Sequence, residues 1–165
     1  PMLYGVRETK QRINIAEIIS EYLSLRSDTL KRYKIELYTS IDSNFFVNMN
    51  KGRFLQVIDN LIRNSEYWLR QHAITNHDSK LEIRICVNAP RITVSDTGPG
   101  IRPAIEETLF DAFVTDKNEG HGLGLFIARQ LLERERCFIT LDSARNEFGK
   151  RFRFTIDLAG VVDER

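Results

Sequence analysis

Three groups of residues in this chain have the types and spacing to do chemistry. The first is Asp96-Thr97-Gly98-Pro99-Gly100-Ile101, which closes an alternating run through Ile92 and Val94. A carboxylate at a strand end beside apolar residues needs a hydrogen-bond partner to offset its lost hydration. Gly98 and Gly100 allow positive φ and a close approach of the backbone to something flat. An amino group on a heteroaromatic ring is one such partner; the plain alternative is a strand that ends in an Asp-Thr-Gly turn. The second group is Asn60 and Asn64, one helical turn apart at the edge of an apolar stripe. Their amide oxygens suit a hard cation such as Mg²⁺, which keeps most of its waters and takes few protein ligands. A pair of helix-surface asparagines is the alternative. The third is Gly120-His121-Gly122-Leu123-Gly124, with glycines at alternate positions ahead of an apolar helical run. Backbone N–H groups exposed at a helix N-terminus attract phosphate oxygens, and the helix dipole adds to the attraction. The run lacks the Lys-Ser/Thr ending of a Walker loop, and a simple loop into a helix would look the same.

The elements that must hold these residues can be read from periodicity. Asn50 is a good N-cap for a long helix over 51–72, with Phe54, Val57, Ile58, Leu61, Ser65 and Trp68 as its core-facing stripe and Asp59, Arg63 and Arg70 in solvent. A strand over 12–15, a helix over 16–31 and strands over 35–38 and 45–47 precede it. Residues 73–79 read as a loop, so His72 and His77 are expected near the surface. Segments 81–87 and 91–95 alternate cleanly around Asn88-Ala89-Pro90 and read as an antiparallel hairpin. Pro103 opens a short helix ending near Phe110, 111–121 is a loop, and 122–136 is a helix. Segments 138–141 and 151–158 read as strands. Helices lie between strands that cluster late, which predicts an α+β fold with the helices on one sheet face.

Composition narrows the field. The 165 residues suit one domain, and 42% hydrophobic content is normal for a globular protein. A net charge of +1, with scattered basic residues, gives no case for nucleic acid or an anionic membrane. No apolar run is long enough to span a bilayer and no signal-peptide pattern is evident; the use of cysteine fits a reducing cytoplasmic setting, with a membrane-attached parent allowed. Cys86 and Cys137 lie in strand-like runs and are expected to be buried small apolar residues. A chain beginning Pro1-Met2 reads as a piece cut from a longer protein.

In their order, Asn-x₃-Asn, Asp-x-Gly-x-Gly and Gly-x-Gly-x-Gly resemble the N, G1 and G2 boxes of the GHKL superfamily. Those are the ATP-binding domains of sensor histidine kinases, type II topoisomerases, MutL proteins and a heat-shock chaperone. Leu109-Phe110-Asp111-Ala112-Phe113-Val114-Thr115 looks like the kinase F box, and the similarity runs from Asn14 to Leu158. The resemblance implies a two-layer Bergerat-type α/β sandwich with a mixed, mostly antiparallel sheet. It implies a domain over 12–160, with 1–11 left from a preceding helix or linker and 161–165 as a tail. It also implies that Asp96 accepts from the adenine amino group and that Gly98, Gly100 and Ile101 shape the pocket floor. Asn64 and Asn60 would hold Mg²⁺, and Tyr67 would sit at a phosphate-contact position. Lys117, Gly120, His121, Gly122, Leu123 and Gly124 would form the phosphate lid.

Within that superfamily the ATPase branches carry a glutamate, four residues before the metal asparagine, that activates water. Here the residue is Asn60, which cannot take a proton at useful pH. Glu66 lies on another part of the helix. The resemblance is therefore to the kinase branch, with ATP and Mg²⁺ as cofactors and no catalytic base assigned. Tyr67 replaces a usual Lys or Arg, and Phe152 a usual Thr near the adenine. None of His72, His77 and His121 sits in a phosphoacceptor-like helix. The acceptor histidine is then expected on a dimerisation segment outside this chain or on another protein, with a response regulator downstream, a homodimeric parent allowed, and no self-phosphorylation. An anti-sigma-type serine kinase and an ATP-gated regulatory module share the same boxes and stand as alternatives.

Overall fold

The computed structural model describes residues 9–112, 123–150 and 152–165. Strand β1 (Gln11–Asn14) leads into helix α1 (Ile15–Arg32), strand β2 (Ile35–Ser43), strand β3 (Phe46–Met49) and the long helix α2 (Lys51–Thr75). Strands β4 (Leu81–Asn88) and β5 (Arg91–Asp96) follow, then a 3-10 helix (Pro103–Thr108), helix α3 (Gly124–Glu133) and strands β6 (Phe138–Leu141) and β7 (Arg153–Asp157). Five strands form a sheet in the order β2-β4-β5-β7-β6, while β1 and β3 pair apart from it. Only β2 and β4 pair in parallel. A parallel pair needs a long crossover, and β3 with α2 supplies it. The fold is the expected α+β sandwich, with a mixed, mostly antiparallel sheet and helices on one face.

Alternation builds the layer. Ile83, Ile85 and Val87 on β4, Ile92 and Val94 on β5, and Phe154 and Ile156 on β7 are all buried toward the helices. Their neighbours Arg84, Thr93 and Thr155 face the other way. The β4–β5 hairpin forms as predicted, with Ile83 opposite Asp96. Strand β2 runs five residues past Tyr38. Residues 39–43 are exposed and do not alternate, and pairing with β4 makes them a strand.

Helices α1 and α2 start on asparagine caps: Asn14 Oδ1 accepts from Glu17 N at 3.2 Å and Asn50 Oδ1 from Arg53 N at 3.0 Å. Their polar faces interlock. The Tyr22 hydroxyl donates to Asp59 at 2.5 Å, Arg63 Nε donates to the same carboxylate at 2.8 Å, and Arg26 pairs with Glu66. Burial, and then the bond to Asp59, push the Tyr22 phenol up. Asp59 is thus not a solvent residue but the partner of α1.

Other expectations shift for local reasons. Beyond Ser65 the buried stripe of α2 steps four residues to Leu69, leaving Trp68 half-buried. The helix runs through His72 to Thr75, because Asn76 caps it with its backbone N–H and side-chain amide on the His72 carbonyl. Cys137 is buried, but Cys86 is only partly covered, its Sγ 3.4 Å from Asp42 Oδ2. Helix α3 ends at Glu133 rather than 136. Arg136 takes φ 58°, and the bonds Cys137 N to Leu132 O and Arg136 N to Glu133 O close a Schellman turn.

Gly160 packs onto that turn. A Cβ there would lie 2.5 Å from the Arg136 carbonyl oxygen and 2.9 Å from that of Glu135. Gly160→Ala should therefore lower stability by about 2 kcal/mol in urea denaturation. Gly124→Ala, which meets nothing within 4 Å among the described residues, should not lower it. An unchanged midpoint for Gly160→Ala would contradict this packing.

Candidate functional site

Asp96 ends β5 with its side chain turned into the interior, 1% exposed. One carboxylate oxygen, Oδ1, accepts from Gly98 N at 2.8 Å. The other, Oδ2, is completely buried and has no hydrogen-bond partner among the described residues. The Ser65 hydroxyl of α2 is near enough to favour the charged carboxylate, yet it makes no bond of ordinary geometry. Burial pushes the Asp96 carboxyl up to about 7, and Ser65 and the Gly98 N–H only partly pull it back. The turn after it is tightly specified. Thr97 bonds through its N–H to Glu82 O and through its hydroxyl to Lys80 O, fastening the turn to the start of β4. A Cβ on Gly98 would stand 2.9 Å from Asp96 Oδ1, and Gly100 has φ 82°. Ile101 is half-buried against the core.

Behind Asp96 stands a residue that the sequence reading passed over. Asn146 is 6% exposed. Its amide nitrogen donates to Asp96 O at 3.0 Å and Phe152 O at 2.6 Å, and its oxygen accepts from Phe148 N and Lys150 N, each at 3.0 Å. The available signal was an Asn three residues before a Gly between two strands, a turn-forming pattern. Phe152, which stands where the resemblance expects a polar residue, is a core side chain edge-on to Phe154 at 4.9 Å.

On α2, Asn64 is 8% exposed and its amide makes no side-chain hydrogen bond to a described residue. Asn60 Nδ2 donates to Gly124 O at 2.9 Å, so α2 is tied to the first turn of α3. Leu123 precedes that turn and its carbonyl accepts from Ile127 N at 2.8 Å. Tyr67 is half-buried, edge-on to Trp68 at 5.1 Å. Glu66, paired with Arg26, faces α1. The structure thus brings Asp96 to Ser65 and Asn60 to Gly124. Lys117, Gly120, His121 and Gly122 lie outside the described residues.

The model of the family of histidine kinase-, DNA gyrase B-, and HSP90-like ATPases matches residues 49–160. The chain belongs to this family. It is 29% identical over 158 residues to sensor histidine kinase ZraS of Salmonella typhimurium, covering 95% of this chain and 33% of that protein. It is 30% identical to sensory histidine kinase/phosphatase NtrB of Escherichia coli O157:H7, covering 81% of this chain and 40% of that protein. The chain therefore spans well under half the length of these relatives. The catalytic domain of histidine kinase ThkA has the same fold, with a TM-score of 0.73 at 24% identity over 90% of this chain and 94% of that one. The relatives named here are sensor histidine kinases, and the solved structure is a histidine kinase catalytic domain.

A divalent cation is typical of this family, and the residues present fit one. Asn64 is a buried amide whose side chain makes no hydrogen bond to a described residue. Because Asn60 commits its nitrogen to Gly124, its oxygen is left as the acceptor. No cluster of three or more His, Cys, Asp and Glu side chains occurs among the described residues. An ion here would rest on amide oxygens, water and substrate phosphates, which suits Mg²⁺. No described helix is long and apolar enough to cross a membrane.

Asp96 carries a stability signature. Below the ordinary carboxyl range it is neutral in both folded and unfolded chains. From about 3.8 up to about 7 the unfolded chain ionises while the folded one holds its proton, so stability falls as pH rises through that window. Asp96→Asn removes the effect. It should match the wild type near pH 3.5 and be more stable by on the order of 4 kcal/mol at pH 8 in ligand-free denaturation. Equal stability at both pH values would contradict the burial of a half-satisfied carboxylate.

Proposed function

We propose that this chain is the Mg-ATP-binding catalytic domain of a sensor histidine kinase. It would transfer the γ-phosphoryl group to a histidine on a dimerisation segment of its parent protein or on a separate protein. The observation that carries this reading is the completely buried Asp96 Oδ2, without a hydrogen-bond partner among the described residues and set beside a glycine turn in an apolar interior. That oxygen suits the amino group of adenine, and a base with a carbonyl at the same place would meet it with a second acceptor. Gly98, Gly100 and Ile101 form the floor on which the ring lies. Asn64, with Asn60, holds Mg²⁺, which when bound offsets phosphate charge. Tyr67, Lys117, Gly120, His121, Gly122, Leu123 and Gly124 belong to the phosphate end.

Phosphoryl transfer is mostly positioning and charge stabilisation. The acceptor imidazole nitrogen attacks the γ-phosphorus, the bond to the β,γ-bridging oxygen breaks, and ADP leaves with that electron pair. Water is a poor competitor for this phosphoryl group. Asn60 is an amide and cannot deprotonate it, and Glu66 is held by Arg26 on the α1 side of the helix. Names of the relatives support the reading: ZraS and NtrB are both sensor-type histidine kinases. A response regulator would receive the phosphoryl group next, and the domain would work where ATP is, in the cytoplasm.

Calorimetric titration tests the pocket. Mg-ATP should bind and Mg-GTP should bind far more weakly, and Asp96→Asn should reduce ATP affinity by about a hundredfold or more. Unchanged ATP affinity in Asp96→Asn would overturn the assignment. Incubation of this chain alone with γ-labelled ATP and Mg²⁺ should leave no stable label on it and release little free phosphate. Rapid multiple-turnover hydrolysis would point instead to an ATP-gated regulatory module.

A further inference from the structure

We propose that Asn146 is a positioning residue that sets nucleobase selectivity by fixing the main chain of Asp96; this rests on the reading of Asp96 as the acceptor for the base's amino group. The argument begins with the sheet. Strand β5 pairs with β7 only as far as Ser95 opposite Arg153. One residue further on, the β5–β7 ladder has ended while Asp96 stays paired on its β4 side opposite Ile83, and among the described residues no strand donor reaches the Asp96 or Phe152 carbonyl from the β5–β7 side. Asn146 Nδ2 supplies both, at 3.0 and 2.6 Å, in place of the missing strand neighbour. Its Oδ1 holds Phe148 N and Lys150 N, so all four hydrogen-bonding positions of one buried amide are in use.

The consequence reaches the carboxylate through the backbone. Oδ1 of Asp96 is bonded to Gly98 N, so a rotation or shift at the Asp96 main chain moves Oδ2 directly. An acceptor aimed within a few tenths of an ångström discriminates between bases; one that wanders does not. The loop that carries Asn146 has its own attachments. Ser95 Oγ donates to Glu147 Oε1 at 2.6 Å, and the Arg84 guanidinium lies 4.9 Å over the Phe148 ring. Removing the Asn146 amide therefore frees the Asp96 carbonyl and two N–H groups of the loop, while Glu147 and Phe148 still hold the loop from outside; a variant that keeps the accepted bonds isolates the contact to Asp96.

Two nucleotides separate positioning from general support: Mg-ATP and Mg-purine riboside triphosphate, which lacks the 6-amino group. Wild-type protein should bind ATP more tightly than the analogue. Asn146→Ala should lose about tenfold in ATP affinity and little for the analogue, so that the ratio collapses toward one. Asn146→Asp keeps the shape and the accepted bonds but replaces the donor, and should do the same if the alanine variant folds poorly. Glu147→Ala, which loosens the outer attachment only, should keep the wild-type ratio. An equal loss for both nucleotides, or a ratio unchanged in Asn146→Asp, would overturn the positioning role while leaving Asp96 as the acceptor. A wild-type protein that binds both nucleotides equally would overturn the reading of Asp96 and this inference with it.

Discussion

The Asp96 carboxylate is stabilised on one side only. Gly98 N satisfies Oδ1, and Oδ2 is enclosed without a partner among the described residues. Leaving a buried acceptor unpaired costs about 1–3 kcal/mol, and more when it is charged. Much of the surrounding structure serves to keep the group in that place despite the cost. Thr97 is fastened to β4, Gly98 leaves room that a Cβ would fill, and Asn146 bonds the Asp96 carbonyl from behind. In the free protein the strain is relieved by a proton, which is why the carboxyl moves up to about 7. On the proposed function the nucleotide relieves it instead, and binding free energy is drawn from a deficit that folding leaves behind.

The helices form a second, linked arrangement. Helix α2 presents Asn60 and Asn64 on one side and Asp59 and Glu66 on another. The first side reaches Gly124 at the start of α3, while the second is gripped by Tyr22 and Arg26 of α1. Both contacts lie within two turns of one helix. On the proposed function, the same packing makes water a poor competitor for the phosphoryl group. The Asn60 amide ties α2 to α3, and the nearby acid, Glu66, is held by α1.

Local pattern made most of this legible. Alternation in 81–87 and 91–95 named the hairpin, and Asn50 before an apolar periodic stretch named α2. Asp96 was singled out because an acid at the end of an apolar strand is costly without a role. Features that depend on tertiary pairing were not legible. Residues 39–43 have no strand pattern and are ordered by β4. Asp59 looked like a surface acid because its partner, Tyr22, is 37 residues away. Asn146 is passed over in the sequence because its value lies in a carbonyl fifty positions earlier. Periodicity describes what one element buries, and is silent on which distant backbone needs a donor.

The central claim is that Asp96 Oδ2 is held unpaired for a donor on the nucleobase. Carbon-13 NMR of the labelled Asp96 carboxyl, titrated from pH 3 to 9 with and without Mg-ATP, tests it most directly. A ligand that prefers the ionised form must lower the titration midpoint. The account predicts a midpoint near 7 in the free protein that moves down when Mg-ATP is bound. A midpoint that stays where it was in the presence of saturating Mg-ATP would contradict it.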